Sequence, residues 1–212
     1  MINIFGKMKI VKYNIEVLFG VNIIIAVLYG CLIPLAFSFK NINYVEIIKI
    51  SELYVPLIGI ILLSYITSIE KTNIIEELSF VKKISSNFIF LIRFFINTVF
   101  IILILVLLFL YAKYQGAAFT FSKVFIGSLV TAIYLGLVAL TMYNLTKNLA
   151  VGYMISFGYY FFEFSTKGKY TKELYLFSLL KDSFTEKIYL SVCIVILFLI
   201  NLIIIKYKSQ NL

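Results

Sequence analysis

The sequence predicts an all-α, polytopic membrane protein with six transmembrane helices, and three observations carry that expectation. Of 212 residues, 62% are hydrophobic and only 14% charged, with a mean hydropathy of +1.03; soluble domains carry about 25% charged residues. That is more apolar side chain than a water-soluble core of this size can bury. Second, six apolar runs approach the length of about 20 residues that crosses about 30 Å of hydrocarbon. Third, the segment Glu70–Asn87 between the second and third runs carries six charges (Glu70, Lys71, Glu76, Glu77, Lys82, Lys83) and still keeps an apolar stripe.

The elements follow in order. Residues 2–18 repeat apolar side chains at Ile4, Met8, Val11, Ile15 and Leu18 with lysines between them, which suits a helix lying in the cytoplasmic interface. The first span, Val17–Phe39, is too long for a signal-peptide core and is read as retained. The second is Ile47–Ile69. In the insert that follows, Ile74, Ile75, Leu78 and Val81 fall at i, i+1, i+4 and i+7, one face of a helix. Its acids lie toward the start and Lys82–Lys83 toward the end, as the helix dipole favours.

The third span, Phe88–Ala112, carries Arg93, the chain's one arginine, about a turn from its start. Such a residue marks the cytoplasmic boundary, snorkelling to phosphate or pairing with an acid of the insert. Val124–Leu145 is the fourth span. Leu149–Ser165, the fifth, is short and crosses with little tilt; Gly152, Ser156 and Gly158 offer it a small-residue packing face. Between it and the sixth span, Ile188–Ile205, the stretch Thr166–Lys187 sets Leu174, Phe177, Leu180 and Phe184 among charges, a short outer helix dipping into the headgroups. No Pro/Gly-rich linker or repeat divides residues 1–212, so they form one domain.

Basic residues divide almost evenly between the two sides, so orientation rests on the first span, whose N-terminal flank holds Lys7, Lys9 and Lys12, and on the insert. Both place the two termini in the cytoplasm. The net charge of +9 comes from lysines beside apolar runs, with no RNA- or DNA-reading motif, so no nucleic-acid partner is expected. Cys31 and Cys193 sit inside apolar runs as small hydrophobes.

Several chemistries are excluded. The chain has no His, which removes the commonest general base and metal ligand, and with it a Ser/His intramembrane protease. Glu76–Glu77 is similar to the paired glutamates of CAAX-type membrane proteases, but Val81 stands where an Arg is expected and the histidines are missing. The repeated aspartates of CDP-alcohol transferases are absent. So is a phosphate-cradling G-x-x-x-x-G-K-[ST] sequence. No catalytic residue, metal site or resident cofactor is therefore expected, and any ATP hydrolysis belongs to another chain.

Polar residues inside apolar runs are the remaining candidates, because an unsatisfied polar group in hydrocarbon is costly. They are Asn22, Ser64, Asn97, Thr98, Tyr134, Asn201 and Glu163; hydrogen bonding between helices explains most of them equally well. Glu163 lies beside Tyr159, Tyr160, Phe161 and Phe162, where a carboxylate among aromatic faces can attract a cationic, amphipathic passenger. The plainer alternative pairs it with Lys167 or Lys169.

The order of parts resembles the membrane subunit of ABC-2 type ABC exporters, the small permeases of bacterial drug, bacteriocin and lantibiotic-immunity systems. That family has an interfacial N-terminal helix, six spans, a cytoplasmic coupling helix between spans two and three, and short outer helices between spans five and six. Glu70, Glu76, Leu78 and Lys82–Lys83 fit its motif after the second span; the Gly and Pro usual in that motif are not found here, with Asn73 and Val81 nearby instead. The resemblance implies a bacterial cytoplasmic membrane and a partner ABC ATPase dimer that binds ATP and Mg. It also implies pairing with a second permease copy or a related permease.

On that reading Ile74, Ile75, Leu78 and Val81 dock on the ATPase, with Glu76, Glu77, Lys82 and Lys83 at the rim. Asn22, Ser64, Asn97, Thr98, Tyr159, Tyr160 and Glu163 are then candidates for the substrate pathway. Two other readings remain open: a substrate-binding S-component of a vitamin importer, and a membrane immunity or binding protein that transports nothing.

Overall fold

The computed structural model describes residues 13–68 and 85–210, which are mainly helical with turns and short irregular connections and contain no strand. After a helical stretch at 13–18, the chain forms α1 (Val21–Ala36), α2 (Tyr44–Leu53), α3 (Leu57–Leu63), α4 (Ser86–Tyr114), α5 (Phe121–Thr146), α6 (Leu149–Thr166) and α7 (Thr185–Gln210). Two 3₁₀ turns, Lys172–Leu174 and Ser178–Lys181, lie between α6 and α7. The N-terminal half of the expected interfacial helix and the whole docking face, Ile74 to Lys83, lie outside the described residues.

Helices α4, α5 and α7 are each long and apolar enough to cross a membrane, which marks the chain as a membrane protein by length and composition; α1 is a shorter apolar helix. Their ends fall within a few residues of the expected third, fourth and sixth spans. Large apolar side chains such as Phe95, Val99, Leu103 and Leu107 on α4, and Ile188, Val192, Ile196 and Ile203 on α7, point out of the bundle. That is the surface a bilayer covers.

Helix α5 is the centre of the bundle: 67% of its apolar window is buried, against 11% for α7. It packs most extensively on α3, α6 and α7. Small residues make that possible. A Cβ added at Gly59 of α3 would sit 1.9 Å from the Ala132 carbonyl oxygen of α5, and one at Gly136 of α5 would sit 2.5 Å from the Gly59 carbonyl oxygen. On the other side of α5, Gly152 of α6 lies against Ala139 and Ser156 donates to the Leu135 carbonyl at 2.9 Å. The small-residue face expected on the fifth span is thus used within the chain at Gly152 and Ser156, while Gly158 meets nothing within 4 Å. A two-residue corner joins α5 to α6, with Lys147 in the left-handed region (φ 58°) and the Asn148 side chain accepting from Ala150 N.

The second apolar run is not one helix. Pro56 has no N–H and cannot close the bond to the carbonyl four residues back, so α2 ends at Leu53 and α3 starts at Leu57. Turns follow from 64 to 68. Backbone groups exposed by such a break must find partners when water is absent, and three helices supply them. Ser128 of α5 donates to the Ser51 carbonyl at 3.0 Å, Tyr160 of α6 to Leu53 at 2.6 Å, and Tyr29 of α1 to Tyr54 at 3.0 Å.

The connector between α6 and α7 differs from the expected headgroup helix in the same way. It turns into the bundle and buries five consecutive residues, Tyr175, Leu176, Phe177, Ser178 and Leu179. The end of the bundle it closes is the connector end; the opposite end, where residues 68 and 85 flank the insert, is the insert end.

Because α3 and α5 touch backbone to backbone, Gly59→Ala should destabilise the protein by roughly 1–3 kcal/mol, the usual cost of overpacking. Gly158→Ala should cost nothing and can gain up to about 1 kcal/mol of helix propensity. Thermal unfolding of the detergent-purified variants measures both.

Candidate functional site

Polar side chains collect at both ends of the bundle. At the connector end the break in the second run places Glu52 inside the protein, and the first turn of α7 places Lys187 opposite it. Both are buried, with side-chain exposures of 0% and 1%. The Lys187 ammonium donates to Glu52 Oε1 at 2.8 Å and Oε2 at 2.9 Å, to Thr131 Oγ1 of α5 at 2.6 Å and to the Leu176 carbonyl of the connector at 2.5 Å. One ammonium therefore holds α2, α5, the connector and α7 together. A surface clasp lies above it: Asp182 accepts from Lys123 at 2.5 Å and from the Tyr44 hydroxyl at 3.4 Å. The hydrogen bond from Lys123 holds the Asp182 carboxyl below its ordinary range.

Glu163 of α6 is also fully buried, against the same connector. Its Oε2 accepts from Thr171 at 3.0 Å, while Oε1 has no hydrogen-bond partner among the described residues. The pairing with Lys167 or Lys169 does not form: the Lys167 carbonyl instead accepts from Lys181, whose ammonium sits 4.4 Å over the Tyr175 ring. Tyr159 donates to the Leu174 carbonyl at 3.1 Å and its ring lies 5.8 Å from that of Tyr134. Tyr159, Tyr160 and Glu163 therefore share one environment, the underside of the connector.

The other expected pathway residues are not gathered there. Asn97 and Thr98 bond to carbonyls of their own helix, at Arg93 and Phe94. Asn22 is half-buried at the start of α1, and Ser64 is buried with no partner for its hydroxyl among the described residues.

At the insert end a second network crosses the bundle. Thr67 donates to Asn144 Oδ1 at 2.8 Å, Asn144 to Asn201 Oδ1 at 2.7 Å, and Asn201 to Thr141 Oγ1 at 2.8 Å. Lys208 donates to the Asn144 carbonyl. Arg93 is buried in the bundle, donating through Nε to Asn14 at 2.7 Å and through Nη1 to the Ile66 carbonyl at 3.3 Å; the insert acids expected as its alternative partners lie outside the described residues. Arg93 thereby fixes residue 14 and the chain leaving α3 against α4.

Among the described residues no group of three His, Cys, Asp or Glu side chains could hold a metal ion. No family model, curated protein or solved structure matches this chain.

The Glu52–Lys187 pair is the site sequence reasoning missed. A signal was present, since Glu52 is an acid inside an apolar run with Pro56 four residues on, and an ionisable residue within a span calls for a partner. The partner lies 135 residues away in a connector read as surface.

Removing one member of a buried pair strands the other charge, at a cost of about 3–5 kcal/mol. Glu52→Leu should show that loss in denaturant or thermal unfolding. The double variant Glu52→Leu/Lys187→Met should regain most of it, because a packed apolar pair of similar volume is often neutral or better.

Proposed function

We propose that this chain is the membrane-spanning permease subunit of an ATP-driven exporter of the ABC-2 type, moving a peptide, drug or other amphipathic substrate outward. The observation that carries the reading is the position of the charged, amphipathic segment Glu70–Asn87. It joins the second and third apolar runs, and its flanks, residues 68 and 85, lie at the end of the bundle opposite the packed connector. The chain has no nucleotide-binding sequence of its own, so the ATPase is a separate subunit that binds ATP and Mg and receives Ile74, Ile75, Leu78 and Val81 in a groove. Arg93, Asn144, Asn201 and Thr67 brace the helices at the base of that segment, which gives a docked ATPase something rigid to push on.

Six crossings in a bacterial cytoplasmic membrane, with both termini in the cytoplasm, belong to the same proposal, as does pairing with a second permease. A closing motion of the ATPase dimer would rock the two permeases against each other. Glu163, Tyr159 and Tyr160 lie where a passenger leaving past the connector would meet a buried carboxylate among aromatic rings, which suits a cationic, amphipathic substrate.

Co-purification from native membranes tests the class: an ATPase recovered in about 1:1 ratio with this chain is expected. A module shared with another membrane subunit would point instead to the importer, and no ATPase at all to the binding protein. Ile75→Asp with Leu78→Asp should reduce ATPase recovery roughly tenfold or more, since losing one buried apolar anchor costs about 2 kcal/mol. If ATPase recovery and coupling survive, the docking assignment is wrong. Glu163→Gln should lower export of a cationic substrate while leaving ATPase recovery intact; unchanged export removes Glu163 from the pathway.

A further inference from the structure

The Lys187 ammonium occupies a cage of four oxygens, two from Glu52, one from Thr131 and one from the Leu176 carbonyl. The residues that supply them also make contacts that do not involve Lys187. The backbone on either side of Glu52 is fixed by Ser128 on the Ser51 carbonyl and Tyr160 on the Leu53 carbonyl. Thr131 Oγ1 donates its own proton to the Gly127 carbonyl at 3.0 Å, which turns its lone pairs toward the ammonium. Leu176 sits between Tyr175 and Phe177, both buried in the bundle.

Such a cage has the chemistry of a cation site. Carboxylate, hydroxyl and carbonyl oxygens are what hard cations choose. Broken helices that turn freed backbone toward an interior site are how membrane proteins build ion sites. A lysine ammonium is a compact point charge on a flexible stem, so it can stand in the place of a free ion. The charge balance also selects the valence: one carboxylate neutralises one positive charge, and a divalent ion would leave a net buried charge, which is costly.

We propose that Glu52, Thr131 and the Leu176 carbonyl form a monovalent-cation seat whose tethered occupant is Lys187, and that the seat accepts a free alkali or small primary ammonium ion once that side chain is removed. Occupancy of the seat holds the connector in the bundle, because Leu176 contributes one of its oxygens. The inference stands on the geometry of the cage and is independent of the transport reading.

Lys187→Ala opens the seat without filling it. The purified variant is melted in choline, sodium, potassium and methylammonium chloride at equal ionic strength. Choline is too large to enter and sets the baseline, where the midpoint should fall well below that of the parent protein. Sodium, potassium or methylammonium should raise it saturably, by roughly 5 °C or more at a hundredfold excess over Kd. The alkali and methylammonium arms show which class the seat prefers. The parent protein, with its seat filled, should melt alike in all four salts, and so should Lys187→Ala/Glu52→Gln, which lacks the carboxylate. A Lys187→Ala midpoint that is the same in all four salts overturns the proposal. So does failure to recover the variant folded in any of them while Glu52→Leu/Lys187→Met folds, since a seat able to take a free cation must support folding when that cation is supplied.

Discussion

The bundle depends on one buried charge pair, and the pair depends on one proline. Pro56 interrupts the second apolar run, and the break brings Glu52 to the inside of the protein at the end of a helix, not onto the flank of a continuous one. A lone carboxylate there would be untenable, and Lys187 reaches it from the first turn of α7. The same ammonium takes the Thr131 hydroxyl and the Leu176 carbonyl, so the charge that neutralises Glu52 also fixes the connector and the start of the last helix. Removing water from two charges gains little stability by itself. What the pair supplies is a single point at which α2, α5, the connector and α7 meet.

Satisfaction of polar groups explains the rest of the connector end. Irregular backbone is tolerated at membrane depth only where protein covers it. Here the freed carbonyls of Ser51 and Leu53 are met by Ser128 and Tyr160, and the Tyr54 carbonyl, which also accepts from Leu57 N–H at 3.3 Å, is met by Tyr29, one from each of three surrounding helices. The connector carbonyls at Leu174 and Leu176 are met by Tyr159 and Lys187. Glu163 and Ser178 are the exceptions: among the described residues Glu163 Oε1 and the Ser178 hydroxyl are buried without a hydrogen-bond partner.

Much of the architecture was legible in the sequence, and what was not has a common cause. Apolar runs of the right length located α4, α5, α6 and α7 to within a few residues. The run from Ile47 to Ile69 read as one span because hydropathy averaged over about 20 residues hides a single proline and a single glutamate. The bonds of Arg93 to Asn14 and the Ile66 carbonyl were not legible, because both partners are remote in sequence and carry no pattern. Glu163 was correctly placed beside Tyr159 and Tyr160, since neighbours on one helix are visible in the letters. Its real partner, Thr171, comes from a connector whose fold into the bundle no periodicity announces. Contacts within a helix could be read; contacts that depend on chain reversal could not.

The last helix shows how such contacts and a periodic stripe combine. α7 is the least buried of the three long helices, so packing alone gives it few constraints on height or rotation. Its polar anchors are Lys187, Asn201 and Lys208, bound to Glu52, Asn144 and the Asn144 carbonyl respectively. They stand on the same stripe as Leu190, Ile194, Leu197 and Ile205, which pack on the core, and the stripe repeats about every 3.5 residues as in a left-handed helix pair. Apolar side chains on that stripe would allow a slip of one turn against α5 at little cost. A slip that moved Lys187 from Glu52 would also move Asn201 from Asn144, four turns away, and strand both. Register is thus set by polar groups at the two ends and adhesion by the apolar residues between them. One helix, α7, therefore ties the Asn144–Asn201 contact at the insert end to the buried pair at the connector end.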